Sequence, residues 1–133
     1  MKTIETIIQE AAVNQWPYPK TFEALKAAGV QMYEVFFTDQ FRTVYHGTFG
    51  TWEKNSLEGY RPSKIGEQFS SEGIKSSIVK HGQEKTPYTQ FLIDITACGV
   101  SHYRVYMDTR EVIYFNPDET HSHTEPVPHW KDL

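Results

Sequence analysis

The chain has 133 residues, of which 23% are charged and 14% are aromatic, and its formal net charge is −4. The length predicts one domain over residues 1–133, with enough apolar surface for one core. Lys and Arg form no cluster, and DNA or RNA binding needs concentrated positive charge. We therefore expect no nucleic-acid partner.

Compartment is inferred from three features of the sequence. Residues 1–13 contain no basic segment followed by an apolar run, and no apolar run approaches the length of a membrane span. The single cysteine, Cys98, cannot form an internal disulfide. These features predict a cytoplasmic protein with no membrane partner.

An internal repeat gives the main clue to architecture. Nine residues recur with the same spacing 70 positions later: Ile4, Ile8, Pro17, Tyr18, Ala27, Gly29, Val30, Tyr33 and Val35 match Ile74, Ile78, Pro87, Tyr88, Ala97, Gly99, Val100, Tyr103 and Val105. Each copy is expected to be one supersecondary unit that buries its apolar face against its twin.

The first copy begins with an amphipathic helix, for which Thr3 is the predicted N-cap. A second helix contains Phe22 and Leu25 and ends at Gly29, where a positive φ is expected. The pattern then alternates, which predicts strands over residues 30–37 and 41–46. The connection over residues 47–70 contains two candidate edge strands, at 49–53 and 57–61.

The second copy follows the same order. A helix is predicted from about Ser71 to Gly82, and another is capped by Thr86 with Pro87 as its first residue. Gly99, again with a positive φ, ends that helix, and strands are predicted over residues 100–107 and 111–115. The rest of the chain, residues 116–133, has the composition of a flexible polar tail.

These elements predict an α+β fold of two layers. Two helix-helix-strand-strand repeats, residues 1–46 and 71–115, form one mainly antiparallel sheet with the helices on one face.

Several short strings resemble a known family over most of the chain. They are GVQMY at residues 29–33, TVYHG at 43–47, Gly50, Lys80-His81, KTPY at 85–88, Phe91 and Gly99-Val100. Together they resemble the YbcV-like proteins, small uncharacterised bacterial proteins of unknown function that are often labelled "phage envelope protein". The resemblance implies no established activity and no catalytic residues.

The strand positions opposite the core differ between the copies. Met32, Glu34 and Phe36 correspond to His102, Arg104 and Tyr106. Symmetry places Glu34 near Arg104, between aromatic residues, which suits a small anionic or amphipathic ligand. The candidate ligand-binding residues are therefore Glu34, Phe36, His102, Arg104 and Tyr106. The alternatives are a face covered by the connecting segment, packed on a second copy in a homodimer, or open to solvent.

The dense group of potential metal ligands lies near the end of the chain. His121, His123 and His129 occur together with Glu119 and Glu125, and a His-x-His pair on an extended segment places both rings on one side. The spacing matches no named zinc signature, so a solvated tail is the favoured interpretation. We expect no metal or other cofactor.

The other reactive side chains give no catalytic pattern. Cys98 occupies the position of Ala28 and is interpreted as a small buried residue. His46 and His81 have no Ser, Cys or carboxylate at a spacing typical of a triad. The predicted function is a non-enzymatic module for binding a small ligand or another protein. The alternative is a small His-dependent or metal-dependent enzyme of the hydrolase kind.

Overall fold

The computed structural model describes residues 3–129, which form four helices and one sheet. The helices are α1 (Ile4–Val13), α2 (Tyr18–Ala27), α3 (Ser71–Glu84) and α4 (Tyr88–Ala97). The strands are β1 (Val30–Phe36), β2 (Arg42–Gly47), β3 (Gly50–Lys54), β4 (His102–Tyr106), β5 (Glu111–Phe115) and β6 (Ser122–Pro126). This order confirms the predicted α+β class. Residues 1–2 of the first repeat and 130–133 of the tail lie outside the described residues.

The sheet is antiparallel, with strand order β3-β2-β1-β4-β5-β6. The first strands of the two repeats, β1 and β4, are neighbours at its centre, and Glu34 lies opposite Arg104. Because these two residues are 70 positions apart, a pseudo-twofold axis passes between them. The prediction that both hairpins belong to one sheet is confirmed.

The two repeats begin their first helices in the same way. Thr3 and Ser70 are N-caps whose side chains accept hydrogen bonds from the backbone N–H of Thr6 and Gly73. The capping prediction for α4 is wrong, because Pro87 itself occupies the N-cap position and no side chain caps the helix. Thr86 lies one residue too early, and its hydroxyl is 2.9 Å from Nδ1 of His81.

A left-handed glycine follows the second helix of each repeat. Gly29 has a φ of 99° and Gly99 a φ of 93°, which confirms the prediction for both. This conformation lets the chain leave the helix and enter the central strand at once.

One further strand follows each helix-helix-strand-strand repeat. The candidate strand at 49–53 is confirmed as β3, but β6 lies in the segment that was expected to be a flexible tail. Backbone pairing with β5 holds β6 in place, with Thr124 opposite Ile113. The strand prediction at 57–61 is wrong, because a turn closed by the Tyr60 N–H and the Leu57 carbonyl bends this segment.

The core lies between the helices and one face of the sheet. Inward strand residues such as Tyr33, Val35 and Val105 pack with Phe22 of α2 and Leu92 of α4. These five side chains are at most 5% exposed, so their burial supplies much of the hydrophobic stabilisation. No helix within residues 3–129 is long and apolar enough to cross a membrane.

Candidate functional site

The open face of the sheet is the face directed away from the helices. It brings together the five residues predicted from the sequence, because their strands are neighbours: Phe36 lies opposite His102, Glu34 opposite Arg104, and Met32 opposite Tyr106. Successive side chains of a strand alternate between faces, so these positions share a side.

Arg104 is the centre of the polar contacts on the open face. Its Nη1 and Nη2 donate hydrogen bonds to Oε1 and Oε2 of Glu119 at 2.8 and 2.9 Å. Its Nε donates a longer bond of 3.5 Å to Oε2 of Glu34. The hydrogen bonds that Arg104 donates to Glu119 are the main cause that raises the pKa of Arg104 above its ordinary value, and the bond to Glu34 acts in the same direction. The guanidinium therefore holds one carboxylate in the bidentate geometry for which arginine is suited.

Glu119 reaches the open face from the loop formed by residues 116–121, which joins β5 to β6. Its side chain is 39% exposed. The hydrogen bond from Arg104 is the main cause that lowers the pKa of this carboxyl. The backbone φ of Glu119 is +58°, a left-handed conformation that costs about 1 kcal/mol in a residue with a Cβ. The conformation of this loop thus places the Glu119 carboxylate next to Arg104.

The polar contacts extend from Arg104 in both directions. On one side, His46 Nε2 lies 3.1 Å from Oε1 of Glu34. On the other side, His102 Nε2 lies 3.2 Å from Oε2 of Glu119, and His102 Nδ1 lies 2.5 Å from the hydroxyl oxygen of Ser101. With Nε2–H donating to Glu119, Nδ1 is the acceptor for Ser101.

Ser101, His102 and Glu119 are connected in the order that serine hydrolases use. However, Ser101 and His102 are only 6% and 7% exposed. A nucleophile must reach the substrate carbonyl, and this burial leaves the Ser101 hydroxyl little access to one.

Aromatic rings form a row beside the guanidinium. Phe36 stacks on His102 with ring centroids 5.6 Å apart, and His102 stacks on Phe115 at 5.3 Å. The Arg104 guanidinium lies 4.8 Å from the centre of the Phe115 ring. The open face therefore combines a cation with a partly exposed strip of aromatic rings.

The three histidines of the proposed metal site have separate surroundings. His121 stacks on Phe69, His123 hydrogen-bonds Glu125 at 2.6 Å, and His129 is exposed. Within residues 3–129, no group of three or more His, Cys, Asp or Glu side chains is arranged to hold a metal ion. The geometry does not bring the three residues together as ligands.

A groove of about 410 Å³ lies near the start of β4 and the end of β5. It is lined by residues 66–69, Gly99, Asn116, Pro117 and His121, and by none of the five predicted ligand-binding residues. The loop of residues 116–121 separates the two sites, since it sends Glu119 to Arg104 and contributes Asn116, Pro117 and His121 to the groove.

Cys98 and His81 belong to the packing of the second helix pair. A Cβ on Gly73 would lie 2.7 Å from Sγ of Cys98, which shows that the sulfur packs closely on α3. Burial raises the pKa of the Cys98 thiol and disfavours the reactive thiolate. The ring of His81 packs on Phe91 at 5.0 Å, and burial lowers the pKa of this histidine.

Two parts of the open-face network were not recognised in the sequence. The sequence groups Glu119 with the potential metal ligands and places Ser101 within the predicted strand over residues 100–107. The repeat predicts that Glu34 on β1 pairs with Arg104 on β4. It does not predict that the loop of residues 116–121 folds back and places Glu119 next to Arg104. An acidic residue shortly after β5, within a cluster of turn-forming residues, was the available signal.

The chain was compared with protein families and with curated proteins, and only the first comparison gave a match. Residues 6–126 match the family described as "Protein of unknown function (DUF1398)". The chain belongs to this family. No curated protein is similar enough to the chain to count as a relative.

Proposed function

We propose that this DUF1398 protein is a non-enzymatic binding module, and that its open face binds a small amphipathic anion at Arg104. The observation that carries the proposal is the pair of hydrogen bonds from Arg104 to the Glu119 carboxylate, at 2.8 and 2.9 Å. A guanidinium that holds one carboxylate in this way is already shaped for a ligand carboxylate or phosphate. Glu119 is then an internal occupant that the ligand replaces.

The surroundings of Glu119 support such an exchange. Its side chain is 39% exposed, so solvent and salt screen its pairing with Arg104 more than they would screen a buried ion pair. The left-handed backbone of Glu119 is unfavourable, and it is needed to hold the carboxylate at Arg104. Release of the loop from Arg104 would remove this unfavourable conformation. A ligand anion can therefore compete with Glu119 at low cost in folding energy.

The aromatic row supports an apolar body on the ligand. Phe36, His102 and Phe115 lie along one side of Arg104, so a ring attached to the anionic group would pack against them. Benzoate and phenyl phosphate have this chemistry and are suitable probes.

The proposal is tested by titrating benzoate and phenyl phosphate into the protein and following backbone amide shifts by NMR. We expect Glu119→Gln to bind at least about tenfold more tightly, because the competing carboxylate is gone. The double variant Arg104→Gln/Glu119→Gln keeps the net charge unchanged, and we expect it to bind at least about tenfold more weakly than Glu119→Gln.

Arg42→Gln is the matched control. Arg42 is also on the open face and also pairs with a carboxylate, Glu53, but with a single bond from Nε at 2.6 Å. It should leave the affinity unchanged. Equal binding by the Arg104 and Arg42 variants, or shifts confined to residues away from the open face, would show that Arg104 is not the anion site.

A further inference from the structure

The groove of about 410 Å³ has no part in the proposed function. It lies at the C-terminal end of α4, because Gly99, two residues after the last residue of that helix, lines it together with residues 66–69. The loop of residues 116–121 supplies the opposite wall. The volume is in the range of pockets that hold small molecules, so the lining groups indicate which small molecule fits.

Backbone contacts fix both walls of the groove. The Gly66 N–H donates to the Thr96 carbonyl in the last turn of α4 at 2.9 Å, and a Cβ on Gly66 would collide with the Ala97 carbonyl oxygen. On the opposite wall, Oδ1 of Asn116 accepts a hydrogen bond from the His121 N–H at 2.9 Å. The groove is therefore preorganised, which lowers the entropic cost of binding a ligand.

The charged side chain of the groove is acidic. Among the described residues that line it, Glu67 is the only acidic one and none is Lys or Arg. The Glu67 side chain is exposed, and it forms no ion pair with another residue in the described range 3–129. Its carboxylate is therefore available to a cation in the groove.

The end of α4 is a second source of negative potential at the groove. The carbonyl groups at a helix C-terminus carry partial negative charge, equivalent to roughly half an elementary charge. In the first repeat, Lys26 in the last turn of α2 offsets this charge. The residue 70 positions later is Thr96, and α4 has no basic residue in its last turn. The end of α4 therefore favours a cationic ligand in the groove.

Two aromatic rings indicate the shape of the cation. Phe69 is anchored against the core, and its ring stacks on that of His121 with centroids 5.9 Å apart and an interplanar angle of 17°. Nearly parallel rings present flat faces, on which a planar cation stacks well. A guanidinium or amidinium is planar and donates two parallel hydrogen bonds to a carboxylate, whereas an ammonium is a strongly hydrated point charge.

We infer that the groove is a second binding site, which takes a small molecule with a planar cationic group, an amidinium or a guanidinium. The cationic group pairs with the Glu67 carboxylate and stacks on the rings of Phe69 and His121. The inference goes beyond the proposed function, because the groove contains none of the five open-face residues and selects a ligand of the opposite charge.

Benzamidine is the probe for the groove, and benzamide is its matched comparison. The two molecules have nearly the same shape, but only benzamidine is charged at neutral pH. Binding is measured on the wild-type protein by NMR titration of the backbone amide signals. We expect benzamidine to shift the signals of Glu67, Gln68, Gly99 and His121, and we expect benzamide to bind at least about tenfold more weakly.

Glu67→Gln removes the charge of the carboxylate with little change in shape, and we expect it to bind benzamidine at least about tenfold more weakly. Glu58→Gln is the matched control, because Glu58 is also exposed in the connecting segment but does not line the groove; it should bind like the wild type. His121→Ala removes one exposed ring and should weaken binding by about two- to fivefold.

Three results would overturn the inference. They are benzamide binding as tightly as benzamidine, equal affinity of the Glu67 and Glu58 variants for benzamidine, or no benzamidine shifts at the residues that line the groove. The first and the third are measured on the wild-type protein, so they decide the question without any variant. Neither measurement depends on Arg104, which lies outside the groove.

Discussion

Gly29 and Gly99 have the same backbone conformation but different neighbours. A Cβ on Gly29 would lie 2.7 Å from the Thr48 hydroxyl oxygen, which belongs to a side chain that can rotate away. A Cβ on Gly99 would lie 2.8 Å from the Gln68 carbonyl oxygen and 2.9 Å from the Phe69 Cα, both in the backbone. A side chain at Gly99 is therefore harder to accommodate than one at Gly29.

We predict that Gly29→Ala destabilises the protein by about 1 kcal/mol, the cost of a positive φ in alanine. Gly99→Ala should cost at least about 1 kcal/mol more, because the Gln68–Phe69 backbone must also move. Urea unfolding of both variants measures the difference. Equal losses of unfolding free energy would contradict the role assigned to the backbone contact.

At the residue scale, the repeat explains what the sequence could and could not predict. Tyr33 and Tyr103 stand out because they share the 70-residue offset, whereas Tyr45 and Tyr114 are 69 residues apart. A search at one fixed offset therefore misses the correspondence of Tyr45 with Tyr114. Strand pairing restores the equivalence, because Tyr45 lies opposite Tyr33 and Tyr114 lies opposite Tyr103.

At the element scale, Arg110 connects the end of β6 to α2. Its Nη1 donates to Oε2 of Glu23 at 2.6 Å, its Nη2 donates to the Pro128 carbonyl at 3.0 Å, and its Nε donates to the Val127 carbonyl at 3.3 Å. The guanidinium also lies 4.6 Å from the centre of the Phe22 ring. One side chain thus links a helix of the first repeat to the last described segment of the second.

We predict that Arg110→Lys lowers the free energy of unfolding by about 1–3 kcal/mol, because an ammonium cannot reproduce this forked set of bonds. The comparison variant is Arg42→Lys at the exposed Arg42–Glu53 pair, which should change stability by less than about 1 kcal/mol. Urea unfolding followed by circular dichroism measures both. Similar losses in the two variants would argue against the connection made by Arg110.

The burial pattern of a strand decides whether the sequence predicts it. Strands β1, β4 and β5 bury about every second residue, and these three strands and β2 are rich in β-branched and aromatic residues, so the sequence reveals all four. β6 has no apolar alternation in SHTEP and is held by backbone pairing with β5, so its composition resembled a tail. Residues 57–61 are a turn rather than a strand: Leu57 and Tyr60 both pack against the core, and their spacing of three residues does not fit the two-residue period of a strand.

At the scale of the whole molecule, the two faces of the sheet obey different constraints. Tyr33 matches Tyr103 and Val35 matches Val105 on the core face, because both repeats pack under equivalent helices. On the open face, Glu34 has become Arg104 and Met32 has become His102. The pseudo-twofold axis therefore relates an acidic residue, Glu34, to a basic one, Arg104. On a strictly symmetric face, the two positions would carry the same residue. That asymmetry is consistent with an open face that holds one anion, while the matched residues of the core face retain the twofold arrangement.

The tyrosines of the core also predict how the stability of the whole molecule depends on pH: Tyr33, Tyr45, Tyr103 and Tyr114 are all buried. Burial raises the pKa of Tyr33, Tyr45, Tyr103 and Tyr114 in the folded protein above the value of an unfolded chain. For Tyr114, the nearby Tyr103, Tyr18 and Glu125 contribute to the same direction. Above a pH of about 10, the unfolded chain loses phenolic protons that the folded protein retains.

Stability should therefore be highest below that pH and should fall as the pH rises through the folded pKa values, by up to about 1.4 kcal/mol per pH unit for each such tyrosine. Urea unfolding at several pH values, combined with tyrosinate absorbance, measures this dependence. The double variant Tyr45→Phe/Tyr114→Phe removes two of the groups, so its stability should fall less steeply. If the wild type and the double variant lost stability at the same rate in alkali, these phenols would not be the buried groups that retain their protons.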